Sequence, residues 1–197
     1  LEQVAYWFFR LNGCLTIPNF VVHPDSRGSQ RTDADILAVR FPHRCELQTS
    51  GQPMVDHRLF GARGKMDLLI TEVKTGRCDL NGPWTRPDDE NMHRVLYAIG
   101  LFPKGCVPEV ARSLYERHQW EDQQCYVRLV ALGRERNPSL PDTVTQLVWC
   151  EILSFIYDRF CGFRDQKSHH PQWDGTGRRL FSLAKRMERD EFIACVQ

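Results

Sequence analysis

The sequence predicts an α/β fold in which a central sheet is flanked by helices. Residues 67–76 are apolar on both alternating faces, which is the pattern of a strand buried on both sides. Residues 32–40 form a second short apolar run that opens with acids. Residues 2–12 and 143–161 carry apolar side chains at spacings of three and four, which is the helical period. Buried strands combined with amphipathic helices are typical of an α/β domain.

The composition fits one folded domain. The chain has 197 residues, of which 42% are hydrophobic and 26% are charged, and its formal net charge is +1. We expect residues 1–197 to form a single domain, with an αβ core over residues 1–133 and a helical C-terminal extension over residues 134–197. Because the net charge is close to zero, the overall charge singles out no class of partner.

The eight cysteines are predicted to be reduced thiols. None lies in a C-x-x-C pair, so the usual zinc-finger spacings are absent. No apolar run approaches the roughly 20 residues that span a membrane, and no signal peptide is recognisable. We therefore expect a cytoplasmic protein that does not enter a membrane. Leu1 in place of Met leads us to expect that the natural start lies upstream.

The first half of the chain is predicted to contain one helix and three strands. The helix at 2–12 ends at Asn12-Gly13, and residues 14–22 are an edge strand, because Pro18 is tolerated only at edges or bulges. Residues 23–31 are a polar turn that leads into the strand at 32–40. Residues 41–66 are broken by repeated Pro and Gly, which predicts either a substrate-contacting loop or a mobile excursion.

The second half follows from the same periodicities. Residues 77–84 are predicted to be a loop, in which Trp84 either anchors the loop by packing, as we expect, or stacks on a base. The regular elements are helices at 89–101 and 107–118, a strand at 124–132, a helix at 143–161 and a final helix at 178–194.

Charged side chains gather at the ends of the two apolar strands. Asp33 and Asp35 share one face of the first strand, and Glu72 and Lys74 share one face of the second. Charged groups at a buried strand end cost free energy unless they have partners. One interpretation is a purely structural Glu72–Lys74 salt bridge, which predicts no metal affinity. Asp67 lies on the face opposite Glu72, so we exclude it from this group of charged side chains.

The order Asp35-Ile36-Leu37-Ala38 followed by Glu72-Val73-Lys74-Thr75 resembles the PD-(D/E)xK nuclease superfamily, most closely its restriction-endonuclease-like and Holliday-junction-resolvase-like branches. The resemblance covers roughly residues 1–76. It implies a restriction-endonuclease-like fold, with a mixed central sheet flanked by helices, and metal-dependent cleavage of nucleic acid. In that family the Asp and the Glu hold a divalent metal and the Lys lies beside the attacking water, which implies these roles for Asp35, Glu72 and Lys74.

The expected chemistry explains why these residue types are needed. Two carboxylates at adjacent strand ends repel each other unless a cation lies between them, and a hard ion with oxygen ligands suits that position. Mg²⁺ or Mn²⁺ is therefore expected, with the backbone carbonyl of Val73 as a further ligand. Asp33 is expected to act as an outer-shell ligand, which does not touch the ion directly. Some members of the family carry a glutamate on the first helix, and Glu2 is placed for that role. The alternative for Glu2 is a favourable contact with the helix dipole.

Basic side chains in two regions are candidate phosphate contacts. Arg27 and Arg31 flank the site in the polar turn, and the C-terminal region carries Arg178, Arg179, Lys185 and Arg186. A solvated surface explains both groups almost as well. The expected partner is nucleic acid, DNA rather than RNA, with duplex, branched and single-stranded forms all open. Members of the family often act as dimers, which adds a homodimer to the partners that the resemblance implies. The alternative function is a non-catalytic nucleic-acid-binding or protein-interaction module of the same fold.

Overall fold

A computed structural model of the protein describes residues 1–23, 32–61, 64–168 and 173–197. The strands in these ranges are β1 Leu15–Val22, β2 Thr32–Arg40, β3 Met66–Val73, β4 Gln119–Glu121, β5 Cys125–Gly133 and β6 Thr145–Val148. The α-helices are α1 Glu2–Leu11, α2 Gly82–Thr85, α3 Asn91–Ile99, α4 Val107–Arg117, α5 Trp149–Gly162, α6 Arg164–Lys167, α7 Gly175–Ala184 and α8 Arg189–Val196. Short 3₁₀ turns lie at Arg58–Phe60 and Pro87–Asp89.

The six strands form one open, mixed sheet. Their order is β1-β2-β3-β5-β4, and β6 pairs with β5. The pairs β1–β2, β2–β3 and β4–β5 are antiparallel, whereas β3–β5 and β5–β6 are parallel. β3 is buried along nearly all of its length and β5 along all of it, because helices cover both faces. The predicted α/β class and the predicted mixed sheet are therefore confirmed.

Helices cover the two faces of the sheet in separate layers. On one face α1, α5, α7 and α8 pack around large side chains that include Trp7, Phe8 and Phe160. On the other face α2, α3 and α4 pack around Trp84 and Leu96. The segment 134–197 adds β6 to the sheet and supplies α5, the longest helix, to the first layer.

Two predicted helices in the C-terminal region are wrong in part. Residues 145–148 are a strand, because four residues are too few to show a period and pairing with buried β5 satisfies their backbone groups. The predicted helix at 178–194 is divided into α7 and α8. Met187 lies between these two helices, and its carbonyl accepts a hydrogen bond from the Tyr157 hydroxyl at 3.0 Å. The three-residue strand β4 was not predicted.

A buried arginine fastens the irregular segment after β2 to the helical layer. Arg159 of α5 is 3% exposed and donates hydrogen bonds to the carbonyls of Leu11 (2.8 Å) and Val55 (2.7 Å). Its guanidinium also lies 3.4 Å from the carboxylate of Asp56. Charge-assisted bonds of this kind are the strong ones in proteins. The stretch around Asp56 is therefore held against α5.

All eight cysteines are free thiols. Within the part of the chain that the structure describes, every helix is too short or too polar to cross a membrane.

Candidate functional site

Asp35 and Glu72 lie side by side where β2 and β3 separate. The last registered pair of these strands is Ile36 with Thr71. One further step along the antiparallel register places Asp35 opposite Glu72, on the face covered by α2, α3 and α4. The ammonium of Lys74, just beyond β3, lies 2.6 Å from the Glu72 carboxylate. The structure thus brings together the three residues that the sequence analysis placed at the centre of the site.

The backbone at the end of β3 fixes both Asp35 and Lys74. The Asp35 carboxylate accepts a hydrogen bond from the Val73 N–H at 2.6 Å. The N–H of Lys74 donates to the Leu132 carbonyl in β5 (2.7 Å), and its carbonyl accepts from the Trp149 indole (3.1 Å). Because the N–H and C=O of one strand residue point to the same neighbour, the Val73 carbonyl also points to the Asp35 side. Two of the predicted oxygen ligands therefore share one edge of β3.

The Glu72 carboxylate is buried and meets three donors. It is 2% exposed, and Oε2 accepts a hydrogen bond from the Trp84 indole at 2.8 Å. Oε1 accepts from the Lys74 ammonium (2.6 Å) and from the Asn81 amide. Lys74 also donates to Oδ1 of Asn81 at 2.6 Å. Glu72, Lys74 and Asn81 thus form a closed ring of hydrogen bonds. The predicted packing of Trp84 is confirmed, and its bond to Glu72 is new.

A glycine at the end of β5 allows the loop that carries Asn81 to approach the sheet. A Cβ atom at Gly133 would lie 2.6 Å from the backbone nitrogen of Cys78 and 2.7 Å from the carbonyl oxygen of Gly76. Side-chain atoms essentially never approach backbone that closely. Position 133 therefore admits glycine alone while the loop keeps this path toward Asn81.

Burial raises the pKa of both carboxylates. For Asp35, the Val73 N–H and the charge of Lys74 oppose the rise, while Asp33 adds to it. For Glu72, the hydrogen bonds from Lys74 and Trp84 oppose the rise in pKa, and the nearby charge of Asp35 adds to it. Two acids with raised pKa values in one cleft favour a cation between them, because a cation stabilises the ionised forms.

Asn19 of β1 is a neighbour of Asp35 that the sequence analysis missed. The registered pairs Pro18–Ile36 and Phe20–Ala34 bracket Asn19 and Asp35. Asn19 has a φ of 50°, a left-handed conformation that is uncommon outside glycine. The β1–β2 pairing is thus interrupted at Asp35, at the point where the β2–β3 pairing ends. Such strained backbone clusters at functional sites, and Pro-Asn within an apolar run was its signal in the sequence.

Glu2 is not brought together with the other acids. It begins α1, which packs on the face opposite Glu72. Among the described residues, no group of three or more His, Cys, Asp and Glu side chains is close enough to hold a metal ion. Asp67 lies on that same opposite face, where it pairs with Arg128 (2.5 Å), as the alternation of side chains predicts.

The predicted phosphate contacts lie away from the Glu72 cleft or outside the described residues. Arg27 and Arg31 belong to the segment that the structure does not describe. The C-terminal cations are exposed in α7 and directly after it: Arg178, Arg179, Lys185 and Arg186. Because α7 packs on α1 and α5, this group lies across the sheet from Glu72.

The donor set suits a hard divalent cation. The carboxylates of Asp35 and Glu72 and the carbonyl of Val73 offer oxygen atoms, which Mg²⁺ and Mn²⁺ prefer. The Lys74–Glu72 ion pair is also what the interpretation as a purely structural salt bridge predicts.

No family model, curated protein or solved structure matches this chain.

Proposed function

We propose that the protein is a metal-dependent nuclease of the PD-(D/E)xK superfamily, with a restriction-endonuclease-like fold, that hydrolyses phosphodiester bonds of nucleic acid, DNA in preference to RNA. The observation that carries the proposal is the pairing of Asp35 with Glu72 where β2 and β3 separate, with Lys74 bound to Glu72. A cytoplasmic location belongs to the proposal, and the free thiols support it. A homodimer stays a prediction.

In this proposal Asp35, Glu72 and the Val73 carbonyl hold the ion. When bound, Mg²⁺ or Mn²⁺ supplies an activated water and stabilises the charge that develops on the phosphate. A bound ion would draw on the carboxylate of Glu72, whose Oε1 accepts a hydrogen bond from the Lys74 ammonium in this structure. Lys74, which lies beside this carboxylate, would donate a hydrogen bond to a phosphate or water oxygen.

Asn81 and Trp84 position the charged residues. Asn81 accepts a hydrogen bond from the ammonium of Lys74 at 2.6 Å, so the lysine keeps a partner when it leaves Glu72. The Trp84 indole fixes Oε2 of Glu72 and covers it from solvent. Preorganised groups of this kind reduce the reorganisation that a reaction requires. A catalytic role for Glu2 stays a prediction, because α1 packs on the face opposite Glu72.

A non-catalytic module of the same fold, which binds nucleic acid or protein, is the second candidate. The observation that favours it is the complete set of donors around Glu72. A buried carboxylate that already has a lysine, an amide and an indole as partners is stable without a metal ion. This candidate predicts no cleavage above background.

Cleavage assays with matched lysine variants separate the two candidates. The substrates are labelled single-stranded, duplex and branched DNA and RNA, each with Mg²⁺, with Mn²⁺ and with a chelator. Lys74→Ala is expected to abolish cleavage while metal binding persists or tightens, because the competing ammonium is gone. Lys104→Ala removes an exposed lysine from the loop between α3 and α4 and serves as the control.

Asp35→Asn is expected to lose both metal binding and cleavage, because a neutral amide lacks the charge that holds the ion. If folded wild-type protein gives no metal-dependent product from any substrate, the second candidate replaces the first.

A further inference from the structure

A separate cavity lies at the other end of the sheet. It has a volume of about 460 Å³ and is found where β2 ends and β3 begins. Arg40 in its wall is five residues from Asp35 along β2, which corresponds to roughly 17 Å of extended chain. Asp67 and Tyr126 in its wall face the layer of α1 and α5, not the layer that covers Glu72. The cavity is thus distinct from the candidate active site in both position and face.

Cations outnumber acids in the part of the cavity wall that the structure describes. The charged lining residues there are Arg40, Arg44, Arg58, Lys65, Asp56 and Asp67. Asp67 is neutralised by Arg128, which binds it with two hydrogen bonds of 3.1 and 2.5 Å. The acids that pair with Arg58 and Lys65 are Glu151 and Glu121, and neither lines the cavity.

One carboxylate is shared by three arginines beside the cavity. The oxygens of Asp56 lie 2.6 Å from Arg40, 2.5 Å from Arg44 and 3.4 Å from Arg159. A single negative charge does not neutralise three guanidinium groups. The additional partner of Arg44 is Glu46, which is half-exposed and therefore screened by water. A positive surplus remains in a place that is largely shielded from solvent.

Arg40 contributes a buried donor for which the described residues offer no acceptor. Its Nε is buried and has no hydrogen-bond partner within residues 1–23, 32–61, 64–168 and 173–197, while its Nη2 donates to Asp56. The guanidinium lies over the ring of Phe60 at 5.5 Å, which holds its plane in place. A buried donor without an acceptor costs free energy, so an anionic oxygen that reaches Nε is favoured.

We infer that this cavity binds a phosphoryl group, carried either by a free nucleotide or by a nucleic-acid strand. Guanidinium forks match the tetrahedral oxygens of phosphate, and a doubly charged anion suits the surplus around Asp56 better than a carboxylate does. The volume falls in the range of small-ligand sites, roughly 300 to 1,000 Å³, and exceeds the need of a bare phosphate ion. The inference is independent of the proposed nuclease activity.

Calorimetric titration of the full-length protein at constant ionic strength tests this inference. The probes are inorganic phosphate, a nucleoside monophosphate, the same nucleoside without phosphate, and a short oligonucleotide. Phosphate and the monophosphate are expected to bind saturably, whereas the nucleoside is not. Lys65→Gln is expected to weaken binding of the monophosphate about tenfold, since it removes one charge-assisted contact. Arg112→Gln removes an exposed arginine from α4 and should leave the affinity unchanged.

Arg40→Lys keeps the positive charge but removes the Nε donor, and it is expected to weaken phosphate binding several-fold. If Arg40→Lys does not fold, Lys65→Gln decides alone, because Lys65 is partly exposed and its ion pair lies on the surface. Competition by the oligonucleotide identifies the phosphates of a strand as the source, and failure to compete identifies a free nucleotide. Glu72→Gln should not change phosphate binding. The inference would be overturned if wild type and Lys65→Gln bound the monophosphate with equal affinity. It would also be overturned if titration with phosphate released no more heat than titration with chloride.

Discussion

Two buried tryptophans offer a direct comparison of a charged and a neutral hydrogen-bond acceptor. Trp84 and Trp149 are each 1% exposed. The Trp84 indole donates to the Glu72 carboxylate at 2.8 Å, and the Trp149 indole donates to the Lys74 carbonyl at 3.1 Å. A hydrogen bond to a charged group contributes about 1.5–3 kcal/mol, and a neutral one about 0.5–1.5 kcal/mol. Trp84→Phe is therefore expected to destabilise the protein by about 1–2 kcal/mol more than Trp149→Phe, which is the matched control.

The excess cost of Trp84→Phe should depend on pH. The indole bond lowers the pKa of Glu72, so its removal lets burial raise that pKa further. The native variant then binds a proton more tightly than the unfolded chain does, and its stability falls as pH rises through the range between the two pKa values. The gap between the variants should thus be largest at neutral pH, where Glu72 is ionised, and shrink on acidification.

Equilibrium unfolding in urea, followed by far-ultraviolet circular dichroism at several pH values, measures this gap. Equal free energies of unfolding for the two variants at every pH would refute the assignment of Trp84 as the donor that holds an ionised Glu72.

Gly133, Asp35 and the exposed C-terminal cations can each be tested by substitution. Gly133→Ala should destabilise by about 1–3 kcal/mol through its clash with the backbone of Cys78, whereas Gly105→Ala, with open space around its Cβ, should not; urea unfolding compares them. Asp35→Asn should leave the metal-free protein as stable or more stable at pH 8, because burial raises the pKa of Asp35 and disfavours its charged form; a fall in midpoint would contradict this. Neutralising the exposed C-terminal cations should weaken nucleic-acid binding and reduce the slope of log affinity against log salt concentration. An unchanged slope would show that no phosphate is bound by Arg178, Arg179, Lys185 and Arg186.

The centre of the site was predictable because it depends on a local rule. Alternation along a strand puts Glu72 and Lys74 on one face and Asp67 on the other, whatever the rest of the chain does. The pairing of Asp35 with Glu72 required only that the two strands be neighbours in antiparallel register. Most helices followed in the same way from apolar periodicity, whereas the mixed sheet was implied only by the resemblance to the nuclease superfamily.

The partners of Glu72 were not predictable, since they depend on how a loop folds back. Asn81 reaches Glu72 because the loop passes close to Gly133, a residue more than fifty positions away in the sequence. The strand at 145–148 was missed because four residues are too few to show a period, and only pairing with the neighbouring β5 makes them a strand. The surplus of cations around Asp56 likewise arises from residues in separate segments, among them Arg40 and Arg159.

The most direct test of the proposed nuclease site is a crystal structure of the protein grown with Mn²⁺, with data collected for the anomalous signal of manganese. The account predicts one strong anomalous peak between the carboxylates of Asp35 and Glu72, at roughly 2.1 Å from an oxygen of each and near the Val73 carbonyl. It also predicts that the Lys74 ammonium has moved away from Oε1 of Glu72. An intact Lys74–Glu72 ion pair with no peak between the two carboxylates, at a manganese concentration that saturates known nuclease sites, would contradict the metal-dependent mechanism.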